Sequence, residues 1–156
     1  MQALKLVLIG ILSTMLMMGA TVGTSIAADA KAPAPHKKKA AVKKAHVVIQ
    51  VSDGDPKTWN QALNVIKNIQ KAYGKGRSDV RLVVFGNGIG MLKLDSVVAN
   101  RITDTVKSGA HVLACQNTMR GRKLTKADML DAIGYVPAGV IEIIARQQQG
   151  WSVIRP

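Results

Sequence analysis

Three short apolar runs, each followed by a turn and a helical pattern, constrain the fold of this chain most strongly. The runs cover residues 46–51 (HVVIQV), 79–85 (DVRLVVF) and 111–115 (HVLAC) and are rich in β-branched residues, which suits buried strands. Between the runs, apolar residues recur every three or four positions, as on one face of an amphipathic helix. The alternation predicts an α/β fold, a three-layer sandwich in which helices cover both faces of a mainly parallel sheet of about five strands.

The first helix has both of its ends marked in the sequence. Asp55 suits the N-cap position, and Pro56 suits the first turn, where no N–H is needed. Apolar residues from Trp59 to Tyr73 follow the helical period, and Gly74 stands where a left-handed C-terminal cap is expected. The sequence therefore predicts a helix of about five turns.

The rest of the domain is predicted in shorter pieces. A helical pattern follows the second strand and runs through Val97 to Gly109, and Thr125 with Asp128 forms a capping box for a short helix that continues to Ile133. The remaining expectations are a loop over 116–124, a chain break at 134–137, a helix over 138–149 and a closing strand over 151–154.

The first thirty residues have the order of a secretory signal peptide. Lys5 precedes an apolar stretch over residues 6–23, and the small residues from Ala27 to Ala30 provide a cleavage site. An uncleaved membrane anchor is the alternative, because the apolar stretch approaches the roughly 18 residues that can span a bilayer. The sequence predicts a periplasmic or secreted protein with a signal peptide over residues 1–30.

Positive charge extends from the segment after the signal into the domain. Residues 31–45 hold six Lys, two Pro and no acid, which predicts a disordered basic linker. In residues 46–156, the predicted folded domain, fifteen Lys and Arg stand against eight acids. Nucleic acid is not an expected partner of an exported domain that has no base-stacking motif. Membrane contact is expected only through the signal or the basic tail, which makes an electrostatic adaptor one alternative function.

Cys115 is the only cysteine, so no internal disulfide can form and the core alone must stabilise the domain. It stands at the predicted carboxyl end of a strand, the edge where open α/β sheets bind ligands. The positive field of Arg120, Arg122 and Lys123, which follow closely, would stabilise a thiolate. A free cysteine on a central strand is also often a small buried apolar residue. The residues therefore leave a reactive role and a packing role open.

Two other places in the sequence are candidate binding sites. The glycine-rich loop after the second strand could bind an anion through its amides, although a tight turn is the alternative reading; its candidate residues are Gly86, Asn87, Gly88 and Gly90. His111 has no second metal ligand at a suitable spacing and is interpreted as structural. No zinc spacing, P-loop or nucleophile elbow occurs in the sequence, so neither a metal nor a cofactor is expected.

Three segments of the domain resemble the DsrE/DsrF-like family of sulfur-relay proteins. They are HVVIQVSDGDPKTWNQALNVIKN over 46–68, HVLACQNTMRGRKL over 111–124 and VPAGVIEIIARQQQGWSVIRP over 136–156. The resemblance covers essentially the whole domain and is closest to an exported branch of the family. It implies a three-layer α/β fold, homo- or hetero-oligomers such as trimers or hexamers, and a cysteine that carries sulfur as a persulfide.

Carried over to this sequence, the resemblance makes Cys115 both acceptor and donor of sulfane sulfur, with Arg120, Arg122 and Lys123 as electrostatic support. The expected function is exported sulfur trafficking, at most as a sulfur carrier or sulfurtransferase, with a protein as sulfur donor or acceptor. The alternative is a non-catalytic binding or structural module of the same fold. A homo-oligomer is expected through the last helix, where apolar residues are too closely spaced for one core to bury them all: Val140, Ile141, Ile143 and Ile144.

Overall fold

A computed structural model describes residues 43–74 and 76–156 of the chain. The predicted signal peptide and residues 31–42 of the predicted linker lie outside the described residues. In the part that is described, no helix is both long enough and apolar enough to cross a membrane.

The described residues form a five-stranded, entirely parallel sheet in the order β4-β3-β2-β1-β5, which confirms the predicted α/β fold. The strands are β1 Ala45–Val51, β2 Ser78–Val84, β3 His111–Cys115, β4 Gly134–Val136 and β5 Ser152–Ile154. The helices are α1 Pro56–Tyr73, α2 Ala99–Lys107, α3 Gln116–Gly121 and α4 Gly139–Gln148. Two 3₁₀ helices span Gly86–Leu92 and Lys126–Asp128.

The direction of the crossovers determines which helix covers which face. The chain steps one way from β1 to β4 and then returns to place β5 on the far side of β1. Because such crossovers are right-handed, α1 and α2 lie on one face and α4, on the return connection, lies on the other. The α1 face carries the large core, which includes Ile49, Leu82 and Ile102. The α4 face has a small core built on Val48, Val83 and Ile143.

Ionic and aromatic contacts supplement the small core under α4. Glu142 Oε1 accepts hydrogen bonds from Arg81 Nη1 at 3.0 Å and from Arg146 Nε at 2.8 Å. Both guanidinium groups lie over the Trp151 ring, 5.2 and 5.4 Å from its centroid. These contacts attach α4 to β2 and to the segment that leads into β5.

Three local predictions differ from the structure. Residues 116–124, predicted as a loop, contain α3, and residues 134–137, predicted as a chain break, contain β4. Pairing with β3 explains β4, because hydrogen bonds to a neighbouring strand stabilise three residues that have little strand preference of their own. The capping box of Thr125 and Asp128 is present, but it begins a single 3₁₀ turn and not a helix that reaches Ile133.

Candidate functional site

Cys115 lies where β3 ends and α3 begins. It is the last residue of β3 and the N-cap residue of α3. Side chains alternate along a strand, and Val112 and Ala114 belong to the α1 core, so Cys115 faces the α4 side as Leu113 does. Its side chain is 5% exposed. The thiol is therefore buried at the carboxyl edge of the sheet, on the face that α4 covers.

Two helix starts supply hydrogen-bond donors to the sulfur. The backbone N–H of Gly139, the first residue of α4, donates to Cys115 Sγ at 3.2 Å. From α3, the Thr118 hydroxyl and the N–H groups of Thr118 and Asn117 lower the pKa of the thiol. The Asn117 N–H itself donates to the backbone oxygen of Pro137 at 3.1 Å. A Cβ on residue 139 would lie 3.2 Å from Phe85 Cδ1, so a glycine lets α4 approach the sheet this closely. Hydrogen bonds from donors favour the thiolate, because it is a better acceptor than the neutral thiol.

Two opposing effects determine the pKa of the Cys115 thiol. Burial raises the pKa, because it takes the charged form out of water. The polar hydrogens of the Thr118 hydroxyl and of the N–H groups of Gly139, Thr118 and Asn117 lower it. Together they outweigh burial, so the pKa lies below its ordinary value of 9.0. All of these groups are uncharged. Because the pKa is lowered, a larger fraction of Cys115 is thiolate at a given pH than in an ordinary cysteine, and the thiolate is the nucleophilic form.

Thr118 also connects the thiol to the glycine-rich loop. Its Oγ1 accepts a hydrogen bond from the N–H of Gly86 at 3.0 Å. Gly86 has a φ of 56°, in the left-handed region that favours glycine. A hydroxyl can accept one hydrogen bond while it donates another, so Thr118 connects the carboxyl ends of β2 and β3 through one side chain.

The loop that follows β2 is a compact 3₁₀ helix whose amides are partly used within the fold. Gly86 donates to Thr118, and the N–H of Gly88 donates to Ser52 O at 3.2 Å and to Phe85 O at 3.1 Å. A Cβ on residue 88 would lie 2.8 Å from the backbone oxygen of Val51, so the close approach to β1 requires glycine. The exposed side chain of Asn87 is the part of this loop that faces solvent.

The predicted cations lie at the same edge of the sheet and are exposed. Arg120 donates a hydrogen bond to Asn117 Oδ1, and Arg122 donates one to Asn87 Oδ1. Lys123 has a φ of 55° in the turn that ends α3. The structure therefore places Arg122 beside the glycine-rich loop, whereas the hydrogen-bond donors to Cys115 come from other residues.

Two clefts flank α3. One has a volume of 410 Å³ and is lined by Asn87, Ile89, Gly90, Lys93, Arg122 and Leu124. The other has a volume of 180 Å³ and is lined by Gln116, Met119, Arg120, Leu124, Thr125 and Lys126. Each cleft combines two cationic side chains with an apolar wall, and Leu124 contributes to both.

A second group of titratable side chains lies at the amino-terminal edge of the sheet. Asp79 on β2 lies between two histidines, with Oδ2 4.0 Å from Nδ1 of His46 and Oδ1 3.9 Å from Nε2 of His111. These distances are too long for hydrogen bonds. Across residues 43–74 and 76–156, no three His, Cys, Asp or Glu side chains are grouped so that they could hold a metal ion.

Sequence reasoning missed the residues that hydrogen-bond to the sulfur. Thr118 carried a weak signal, because it lies three residues after a cysteine that ends a strand, where a helix start places its hydroxyl near the N-cap side chain. Gly139 carried none, since it lies 24 residues from Cys115 and reaches it only through the placement of α4.

Comparison with known proteins identifies the family of the chain. A sequence profile of the DsrE/DsrF-like family matches residues 43–156. A solved protein of unknown function from Methanobacterium thermoautotrophicum is similar at 25% identity, with 72% of this chain and 99% of that chain covered and a TM-score of 0.69. The E. coli ychN protein is similar in fold at 12% identity, with 73% and 99% covered and a TM-score of 0.56. A search of the curated proteins found no significant match. Because the profile covers the whole folded domain, this chain belongs to the DsrE/DsrF-like family.

Proposed function

We propose that this protein is an exported sulfur-trafficking protein that carries sulfane sulfur as a persulfide on Cys115. The observation that carries the proposal is the hydrogen bond from the N–H of Gly139 to Sγ at 3.2 Å. The Thr118 hydroxyl and the amides at the start of α3 add to its effect on the pKa of the thiol. Such donors stabilise a thiolate, which is the form of cysteine that accepts a sulfane sulfur. The family of the chain is commonly linked to sulfur relay, which supports the same chemistry.

The transfer is a thiol exchange without net oxidation. The Cys115 thiolate attacks the outer sulfur of a persulfide R–S–SH, and a new bond forms between Sγ and that sulfur. The S–S bond of the donor breaks, its electron pair leaves with R–S⁻, and the transferred sulfur keeps its proton. The product on the protein is Cys115–S–SH. Delivery to an acceptor thiolate repeats the same step in the opposite sense.

The burial of Cys115 favours a second candidate, a non-catalytic binding or structural module. A side chain that is 5% exposed must become accessible before it reacts, and a cysteine that stays closed is a packing residue. The start of α4 contacts the thiol through the N–H of Gly139, and Pro137 and Ala138 connect β4 to this helix start. In the proposed carrier, this segment opens to admit the donor.

Intact mass after incubation with a sulfane-sulfur donor tests the proposal. We expect a gain of about 32 Da per sulfur added, reversal by a thiol reductant, and no gain in Cys115→Ser. The same spectrum of protein purified from the periplasm of an expressing cell shows whether residues 1–30 have been removed. A folded wild-type protein that gains no sulfur and also resists alkylation would leave Cys115 as a packing residue and favour the binding module.

The proposed carrier is a homo-oligomer that associates through α4. Ile143 is buried against the sheet, but Val140, Ile141 and Ile144 on the same helix are 51%, 64% and 44% exposed. An apolar cleft of 280 Å³ lies beside them and is lined by Val136, Pro137, Ala138, Ile141, Glu142 and Ala145. Apolar side chains this close together on a small domain are typical of an interface.

We expect Ile141→Glu to convert the oligomer to monomers, because the change places a charge in an interface core. Light scattering at several concentrations measures the effect. Val97→Glu is the matched control, since Val97 is 78% exposed and lies before α2, away from this face. A wild-type protein that is strictly monomeric would contradict the proposed interface.

A further inference from the structure

Four cations near the site lack ionic partners. Arg120, Arg122, Lys123 and Lys126, here called the cationic rim, are all exposed, and in the described part of the chain none of them forms an ion pair. The only acid between Cys115 and residue 130 is Asp128, whose Oδ2 accepts from the N–H and the hydroxyl of Thr125 at 2.7 and 2.8 Å. Asp131 acts on Tyr135, over whose ring Lys126 Nζ lies at 4.9 Å. Asp128 and Asp131 are two acids against the four cations, so an excess of positive charge remains.

The fold and the thiol use little of this charge. Arg120 and Arg122 hydrogen-bond to the uncharged amide oxygens of Asn117 and Asn87, which leaves their charge uncompensated. The donors that stabilise the Cys115 thiolate are a hydroxyl and backbone N–H groups. By contrast, Arg81 on β2 and Arg146 on α4 share the carboxylate of Glu142, so this chain does pair cations where the fold needs them.

The surface shape beside the rim indicates the size of a ligand. The clefts on the two sides of α3 have volumes of 410 and 180 Å³, and each joins two cations to an apolar wall. Pockets for small molecules are typically about 300 to 1,000 Å³ in volume, a range that the larger cleft reaches and the smaller one does not. Cys115 is 5% exposed, so a small molecule can reach it after a smaller opening than the cysteine of a folded partner would require.

We propose that the sulfur compound that reacts with Cys115 is a small anion, a low-molecular-weight persulfide with a carboxylate or sulfonate group, that the cationic rim attracts to the carboxyl edge of the sheet, where Cys115 ends β3. This inference rests on the proposed function. The rim acts before the chemical step, because its field raises the local concentration of anions at the entrance. The step itself is the exchange described above, in which R–S⁻ leaves as the donor S–S bond breaks.

Methanethiosulfonate reagents of matched size test the charge preference. We would measure the rate constant for modification of Cys115 in the full-length protein with an ethylsulfonate reagent and with an ethyltrimethylammonium reagent. Each rate is divided by the rate of the same reagent with a free small thiol, which removes intrinsic reactivity. We expect a normalised anion-to-cation ratio of about tenfold or more at low salt, falling towards one at about 1 M salt.

Charge reversal assigns the preference to the rim. Arg122→Glu with Lys123→Glu is expected to lower the ratio about tenfold or more. Lys67→Glu with Lys71→Glu changes the net charge equally on the exposed side of α1 and should leave the ratio within about twofold. Arg122→Gln with Lys123→Gln provides a milder pair, expected to give an intermediate ratio, if the double Glu variant does not fold.

The outcomes separate this inference from the proposed function. A ratio near one that does not change with salt, on a cysteine that reacts with both reagents, would overturn the anionic ligand and leave a sulfur carrier in place. If Lys67→Glu with Lys71→Glu lowered the ratio as much as Arg122→Glu with Lys123→Glu, the preference would come from the net charge of the protein. That result would also overturn the role of the rim. No reaction with either reagent would reject the reactive Cys115, and this inference would be rejected with it.

Discussion

Replacing Glu142 with alanine is expected to lower the free energy of unfolding by about 2 to 3 kcal/mol. Breaking a buried ion pair typically costs about 3 to 5 kcal/mol, and these side chains, 15% to 24% exposed, keep enough water contact to reduce that cost. The change leaves Arg81 and Arg146, both in contact with the Trp151 ring, without the carboxylate that pairs with both. Glu142 is also the only glutamate of the chain, so no nearby glutamate can replace it.

Chemical denaturation measures this effect, and a second acid provides the control. Asp95 pairs with Lys93 at 3.2 Å but is 77% exposed, so Asp95→Ala should cost less than about 1 kcal/mol. Glu142→Gln keeps the shape and one acceptor oxygen and should lie between the two. If Glu142→Ala and Asp95→Ala were equally destabilising, the ion pairs under α4 would not be what fixes that helix.

The position of α4 links this ion pair to the candidate site. The apolar core that holds α4 against the sheet is small and is built on Val48, Val83 and Ile143. The ion pair between Glu142 and Arg81 therefore supplies a large share of the attachment. Gly139, three residues before Glu142, donates to Cys115 Sγ. A helix that is held to the sheet by a small apolar core and one ion pair, Arg81 with Glu142, can open at one end without unfolding the larger core on the other face. Access to Cys115 is thus expected to increase in Glu142→Ala.

Local sequence patterns were enough to predict the sheet, its direction and the place of Cys115. The β-branched runs that became β1, β2 and β3 are buried on both faces, as parallel strands are, and they carry their own signal. Because β3 runs parallel to its neighbours, its last residue lies at the same edge of the sheet as the carboxyl ends of β2 and β4. The position of Cys115 at the carboxyl edge follows from those two facts alone.

The features that local patterns did not predict depend on contacts distant in sequence. β4 consists of three residues between Ile133 and Pro137, and only the pairing of Leu113, Ala114 and Cys115 with them makes them a strand. The donor N–H of Gly139 depends on the return crossover that places α4 over β2 and β3. The spacing of the apolar residues in α4 indicated that one core could not bury them all. Which of them is buried, Ile143, depends on the orientation of the helix on the sheet.

Thr118→Val is expected to slow alkylation of Cys115 at neutral pH about tenfold. A hydrogen bond to a charged group contributes about 1.5 to 3 kcal/mol, and valine removes the hydroxyl that donates to the thiolate while it keeps the shape of the side chain. The pKa of the Cys115 thiol should rise as a result. The rate of iodoacetamide modification as a function of pH measures this rise as a midpoint that moves to higher pH.

Thr118→Ser is the matched control for this change, because serine keeps the hydroxyl that donates to Cys115 and accepts from Gly86. It should keep the wild-type pH profile. A Thr118→Ser variant as slow as Thr118→Val would assign the effect to packing of the threonine methyl group and not to the hydrogen bond.

Stability as a function of pH provides an independent measurement of the same hydrogen bonds. The folded-state pKa of Cys115 lies below 9.0, so between that pKa and 9.0 the unfolded chain binds more protons and folding becomes more favourable as pH rises. The contribution is complete above 9.0 and is lost as pH falls through the folded-state pKa. The wild-type protein should therefore gain stability relative to Cys115→Ser as the pH approaches 9.0 from below, and Thr118→Val should gain less. Parallel stability curves for the wild type and Cys115→Ser would contradict a stabilised thiolate, whatever the alkylation rates.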